Sequence, residues 1–416
     1  MSAAARHGTP GPGRSGPLAG LRVVDMATMM AAPWAATFLA DYGADVIKLE
    51  HPTRGDHARQ FGLSKDGEPV FWKTLARNKR SLCLDLKSDG GWEVFERLAA
   101  EADVIIENFR PGVLARLGWD YARLSEINPR LVLLSVTGYG QDGPYAQRPG
   151  FGTLIEAMSG FAASNGYPDG PPTLPAIPLA DGVAGAFGAL SVMIALRERD
   201  GDGTVGSGSG LGQHIDMSLF EPLGRLMEGH VLEYSALGMV RQRMGNGSLT
   251  SAPRNAYRAR DGTWMALSAS AQPVFERLMA AVGRPDLIDD PRFATNHARI
   301  QHRNDLDELL GAWIAARDRD DAIDELSRSG AAVGPVYDVA ELLDDPHVQA
   351  RGSFETHEDP VLGQVQVPSV VARFSRTPGQ VRHLGPAPGA STDEILMELG
   401  FDEERIDALR AHGDVA

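Results

Sequence analysis

Between residues 21 and 136, short apolar runs alternate with stretches of helical spacing, and this alternation restricts the fold more than any other feature of the chain. Leu21–Asp25 (LRVVD) reads as a strand, Ala31–Tyr42 (AAPWAATFLADY) as a helix that tolerates Pro33 in its first turn, and Ala44–Glu50 (ADVIKLE) as a second strand after Gly43. A strand, a helical crossover and another strand of these lengths make a parallel pair. The pattern recurs with a strand at Ser81–Leu86, a helix at Ser88–Ala102, a strand at Asp103–Asn108, short helices at Val113–Leu117 and Tyr121–Asn128, and a strand at Leu131–Val136. The expected fold class is therefore α/β, with a doubly wound parallel sheet.

Two loops rich in Gly and Pro follow, Gly138–Pro149 and Tyr167–Pro175, with a helical stretch at Thr153–Ala163 between them. The second loop delivers the chain to Ile177–Leu196, an apolar run whose single charge is Asp181. Aspartate is a good helix N-cap, because its side chain accepts orphan N–H groups and the helix dipole favours its ionised form. On local sequence alone Asp181 is therefore either a cap or a nucleophile. A Gly/Ser-rich segment at 200–212, a strand at Gln213–Leu219 and a helix at Glu221–Leu237 come next. Asn255–Arg260 and Thr263–Ser268 flank Asp261-Gly262, a strong hairpin signal. Helices at Gln272–Val282, His302–Ala316 and Arg319–Ser329 complete a small α+β domain, and Gly334–Tyr337 starts the return. Strands at Val365–Val367 and Val370–Phe374 and helices at Thr392–Glu398 and Asp402–His412 are expected in that return. The expected organisation is a disordered tail over 1–17, a large domain over 18–222, a linker helix over 223–244, a small domain over 245–334 and a return to the large domain over 335–416.

At 416 residues the chain exceeds the roughly 250–300 at which one core stops growing. A formal net charge of -15 argues against a nucleic-acid partner, which needs a basic face. Cys83 is the single cysteine, which excludes an internal disulfide and fits a reducing, cytoplasmic setting; packing in a strand is its expected role. No apolar run reaches the roughly 18 residues of a membrane span, and the N-terminus lacks a signal-peptide core. The eleven histidines have no metal-ligand spacing, so no metal is expected. Gly201–Gly206 matches G-x-G-x-x-G, but a helix precedes it where the dinucleotide fingerprint needs a strand. The basic cluster Arg77–Arg80 reads as a solvated turn.

In doubly wound sheets ligands gather beyond the carboxyl ends of the strands. Met29–Ala31, His51, the group Asn108, Phe109, Arg110 and Arg116, and Thr137–Gly140 follow successive strands. Aromatic and apolar residues beside arginine suit a ligand that carries a base and phosphates.

Several of these segments together resemble the family III CoA-transferases, which include formyl-CoA:oxalate and carnitine CoA-transferases and the α-methylacyl-CoA racemases. They are Leu21–Asp25 with Ala31–Pro33, Gly43–Glu50, Arg77–Ser81, Leu84–Leu86, Ala102–Gly112 (ADVIIENFRPG), Arg116–Gly118, Asn128–Arg130, Gly138–Pro144 (GYGQDGP) and Gly212–Ser218. The resemblance spans about residues 18–400. It implies a Rossmann-like large domain, a small domain and an interlocked homodimer. It also implies Asp181 as covalent nucleophile, Met30 and Ala31 with their backbone along coenzyme A, and Leu75 and Asn78 on the adenosine side. Asn108, Phe109, Arg110, Arg116, Thr137, Gly138, Tyr139 and Gly140 would be strand-end contacts to CoA. His51 stands where several members have a phosphate-binding Arg, and Thr137 where formyl-CoA transferase has Lys. Phe151 occupies the position of the racemase base His, and Gly245–Gly247 is the nearest match to a glycine run of the small domain. The activity implied is transfer of CoA from an acyl-CoA donor to a carboxylic acid through aspartyl anhydride and aspartyl-CoA thioester intermediates. Backbone N–H groups beside Asp181 or in Gly138–Gly140 are the expected oxyanion donors. The alternatives are an acyl-CoA racemase or epimerase and a non-catalytic acyl-CoA-binding protein.

Overall fold

A computed structural model of the chain describes residues 16–201 and 207–416. The expected tail, except for its last two residues, and most of the Gly201–Gly206 motif lie outside the described residues.

Six strands form one wholly parallel sheet: β1 (Arg22–Asp25), β2 (Asp45–Glu50), β3 (Lys79–Cys83), β4 (Val104–Glu107), β5 (Val132–Thr137) and β6 (His214–Ser218). Their spatial order is β3-β2-β1-β4-β5-β6, the order of a doubly wound sheet built from two mirrored halves. Chain direction across the sheet reverses between β1 and β4, which pair through Val23–Val104, Val24–Ile105 and Asp25–Ile106. A crevice opens beyond the carboxyl ends of those two strands.

The helices divide between the two faces. α1 (Ala31–Asp41) lies on one face, and α2 (Asp89–Glu101) and α3 (Tyr121–Ile127) lie on the other with the C-terminal helices Thr392–Glu398 and Glu403–His412. α4 (Gly152–Met158) and α5 (Leu179–Asp200) join the α1 face, and α6 (Phe220–Leu226) and α7 (Glu228–Leu237) follow β6. Small residues let α1 and α5 approach closely. A Cβ at Gly185 would lie 2.8 Å from the Trp34 Cβ and 3.0 Å from the Ala31 carbonyl oxygen, tighter than real side chains accept. The alanines of AAPWAA and the glycines of DGVAGAFG thus bring the amino ends of the two helices together.

Several expectations change in detail. β3 begins at Lys79 rather than Ser81, because Val46 pairs with Lys79. The cluster Arg77–Arg80 is therefore not a solvated turn. Arg77 donates from Nε to Asp41 at 3.0 Å, Arg80 donates from Nε to Asp45 at 3.0 Å, and Lys79 is buried. The helix expected over 153–163 breaks at Gly160, which takes φ +87°, and the one over 221–237 breaks into α6 and α7. With 22 residues, Leu179–Asp200 is long and apolar enough to cross a membrane by length and composition, contrary to the run-length reading. In the fold one face of it packs on α1 and the sheet, while Leu190, Met193 and Ile194 on the other are exposed.

Contacts divide the chain into two compact units, Met1–Gly160 with Pro175–Leu237 and Gly352–Ala416, and Phe161–Leu174 with Gly238–Arg351. The second unit is built on an antiparallel sheet of β7 (Arg254–Arg258), β8 (Trp264–Ser268) and β9 (Ala332–Pro335) in the order β9-β8-β7. Its core is formed by Phe275, Leu278, Leu306, Leu310 and Leu326 from the helices Gln272–Ala281, Arg303–Ala315 and Arg319–Arg328. Gly334 therefore closes this sheet instead of starting the return. The returning segment carries a hairpin, Phe354–Asp359 with Gly363–Pro368, whose first strand is too polar to read from sequence, and Val370–Phe374 forms no strand.

Candidate active site

A cavity of about 210 Å³ sits at the carboxyl ends of β1, β4 and β5, entirely within the first unit. Its lining includes Met30, Ala31, Asn108, Phe109, Arg110, Thr137, Gly138 and Asp181, all singled out from sequence. It is smaller than the ~300–1,000 Å³ of a pocket that encloses a whole drug-sized ligand, and suits the reacting end of a longer molecule.

Asp181 is not the helix cap. Pro178 holds that position, and Asp181 is the third residue of α5. Its carboxylate instead faces the amino end of a second helix, where the Ala31 backbone N–H favours the ionised form, as does its own N–H. Burial and the nearby Glu156 carboxylate win over these contacts and push Asp181 up to about 6. The orphan N–H of Ala180 is capped from another element, since Glu156 of α4 accepts it at 3.1 Å with its own side chain buried. Gly152, one turn earlier on α4, makes room for the nucleophile candidate: a Cβ there would overlap the Asp181 carboxylate. Gly152 and Glu156 escaped the sequence reading. The four-residue spacing on a short helix was the signal that could have found them.

Asn108 joins the two central strand ends: its side chain accepts from the Thr28 N–H at 2.9 Å and donates to the Thr28 carbonyl at 2.7 Å. Glu107 accepts the Phe109 N–H at 2.6 Å, and its burial pushes it up to about 7. The loop after β5 is pinned at its base. Gly140 N–H donates to Thr137 Oγ1 at 2.9 Å, Gln141 N–H donates to the Asp216 carboxylate at 3.1 Å, and a Cβ on Gly138 would sit 2.6 Å from the Gly150 Cα.

Other sequence candidates lie elsewhere. Arg116 lines a separate groove of about 650 Å³ with Lys87 and Trp92. Leu75 is buried against Trp72 and Ala58. Asn78, at φ +62°, holds the returning chain by donating to the Gln380 carbonyl and accepting the Arg382 N–H. His51, whose pKa is lowered by burial and by Arg54, accepts the Thr53 N–H at 3.2 Å. Tyr139 packs edge-on to Tyr145 rather than lining the cavity. Of the expected oxyanion donors, Ala180, Gly182 and Gly140 N–H groups already have acceptors. Among the described residues no group of three or more His, Cys, Asp and Glu could hold a metal ion.

The sequence matches the family model described as CoA-transferase family III over residues 18–392. It is 40% identical to the succinyl-CoA–D-citramalate CoA-transferase of Chloroflexus aurantiacus, covering 95% of this chain and 97% of that one. It is also 40% identical to the beta subunit of succinyl-CoA–L-malate CoA-transferase from the same organism, with the same coverage of each chain. Among solved structures, a CAIB/BAIF family protein from Brucella suis superposes with a TM-score of 0.81 at 35% identity, covering 92% of this chain and all of that one.

Proposed function

The chain belongs to CoA-transferase family III and moves CoA between an acyl-CoA and a carboxylic acid, and from that premise we propose that Asp181 is its covalent nucleophile. The observation that carries this reading is a half-buried carboxylate, set at the amino ends of two helices, inside the cavity at the sheet's switch point.

A carboxylate oxygen of Asp181 attacks the thioester carbonyl. The C–S bond breaks, CoA leaves as thiolate with the bonding pair, and a mixed anhydride remains. The thiolate attacks the Asp181 carbonyl and expels the donor acid as carboxylate, leaving an aspartyl-CoA thioester. The acceptor carboxylate then displaces CoA thiolate to form a second anhydride, and the thiolate attacks its acyl carbonyl to release the new acyl-CoA and free Asp181. Covalent steps conserve the thioester energy that water would discharge. The N–H groups of Ala31 and Asp181, which face the carboxylate, are the donors best placed to hold the oxyanion that forms when thiolate or acceptor carboxylate attacks the Asp181 carbonyl. Phe151 lines the cavity and offers no proton acceptor, which favours transfer over epimerisation.

The adenosine end of CoA is assigned to the groove at Arg116, with Asn108, Phe109 and Arg110 at the strand-end turn. We assign the working form as a homodimer, interlocked as the resemblance implies. α7 buries none of its residues in the single chain and exposes Val231, Leu232, Tyr234 and Leu237, an apolar surface that a second copy would cover. We assign a cytoplasmic setting, which the single cysteine supports.

The relatives' names pair succinyl-CoA with citramalate or malate, so dicarboxylic acids are the substrate class we assign. A panel of acyl-CoA donors against carboxylic acids, read by product mass, should give transfer between dicarboxylic acids and an aspartyl adduct on Asp181 trapped by hydroxylamine. An adduct on any other residue would refute the assignment.

The attack needs ionised Asp181. The kcat/KM of the wild type should fall about tenfold per pH unit below an inflection near pH 6. Glu156→Gln keeps an acceptor for the Ala180 N–H and removes the like charge, so Asp181 ionises more easily. The inflection should move to lower pH, and a shift to higher pH would contradict the charge argument.

A further inference from the structure

Resting on the transferase reading, we propose that Arg148 recognises the carboxylate remote from the reacting end of dicarboxylic substrates. Arg148 lines the same cavity as Asp181, on the loop that runs into α4 and its contact with the nucleophile. Its guanidinium lies over the Tyr145 ring at 3.7 Å, and Tyr145 packs edge-on against Tyr139 with ring centroids 5.8 Å apart. Stacking fixes the plane of the guanidinium and leaves its edge N–H groups to donate in pairs, the geometry that matches a carboxylate.

Four arginines elsewhere in this unit are engaged. Arg59 is tied to Glu50, Arg77 to Asp41, Arg80 to Asp45 and Arg199 to Asp200. Among the described residues, no carboxylate pairs with Arg148. Yet Arg148 is held on a rigid platform. The close approach of Gly138 to Gly150, the Gly140 contact to Thr137 and the Gln141 contact to Asp216 all fix the loop that carries it. An exposed cation on the wall of the nucleophile's cavity, with no internal counter-charge, is what an acid with a second carboxylate requires. Arg110, the other arginine of the cavity, sits on the turn after β4 that serves CoA in the reading above.

The test compares a five-carbon dicarboxylic acceptor with the monocarboxylic acid of equal length, using one donor and measuring kcat/KM for each. In the wild type the dicarboxylic acid should be preferred. Arg148→Gln should collapse that preference on the order of 10²-fold, the discrimination expected when a charge-assisted pair is lost. Arg148→Lys keeps the charge without the paired donors and should fall between the two. The inhibition constant of free CoA, measured in the same variants, should stay at its wild-type value. A proportional loss for both acids with a weakened CoA constant would assign Arg148 to the CoA phosphates and overturn the proposal, as would an unchanged preference. Transfer by the wild type to neither acid would overturn the reading beneath it, and that result is visible before any variant is made.

Discussion

Asp181→Ala should abolish CoA transfer, with kcat lowered by about 10⁴-fold or more, while binding of CoA, measured by calorimetry, persists. Removing the carboxylate deletes the only protein group in the proposed cycle that forms and breaks bonds to the acyl carbon. Asp181→Asn should be equally inactive but more stable than the wild type at pH 8. The pKa of Asp181 is raised from 3.8 to about 6 by burial and by Glu156, so the folded state holds the ionised form at a cost that the unfolded state does not bear. For an acid whose folded value is raised, that cost is full above pH 6, shrinks as pH falls and vanishes below about 4. Asn carries no such cost, and its advantage should be about 1–3 kcal/mol at pH 8, read as a higher Tm, and should close toward pH 4. Activity above 1% in Asp181→Ala would move the nucleophile elsewhere. A lower Tm for Asp181→Asn at pH 8 would mean that the N–H groups of two helix ends outweigh burial.

The same residue marks how far the sequence could be read. The alternation of strands and helices and the strand-end rule were enough to bring Met30, Ala31, Asn108, Phe109, Arg110, Thr137 and Gly138 to one cavity, while the place of Asp181 among them was implied only by the family resemblance. Those positions are fixed by local pattern and by the direction of parallel strands. What could not be read was tertiary pairing. Asp181 looks like a cap because caps are local, but the group that caps its helix is Glu156, on a different helix 24 residues before Ala180. Arg77 and Arg80 look solvated because their partners, Asp41 and Asp45, are more than 30 residues away and become neighbours only when β2 and β3 pair. Asn78 fits an adenosine contact by position, but the returning C-terminal segment satisfies its side chain.

Beneath the site lies a buried charge network whose disruption should have the largest effect on stability. Lys48 and Asp25 are essentially inaccessible, and Lys48 Nζ lies 2.8 Å from Asp56 and 3.9 Å from Asp25, with the Ala27 carbonyl also accepting from it. Lys79 completes the set with a 2.9 Å contact to Asp25. Burial alone would lower the pKa of Lys48, but Asp25 and Asp56 reverse the sign and hold it charged. The network sets the loop after β1: Asp25 accepts the Ala27 N–H, and Asp56 accepts the Met29 N–H with Met29 at φ +68°. Two residues later that loop presents the Ala31 N–H to Asp181. Lys48→Met would leave Asp56 buried without its cation, and the expected cost is about 3–5 kcal/mol, read as a shift in the denaturant midpoint. Transfer by the folded variant should slow on the order of 10–100-fold, because the loop that aims the nucleophile loses its anchor. Adding Asp56→Asn removes the stranded charge but keeps an acceptor for the Met29 N–H, so the double variant should recover more than half of the lost stability and most of the rate. If the double variant is no more stable than Lys48→Met alone, the loss comes from packing and the ion pair does not set the loop.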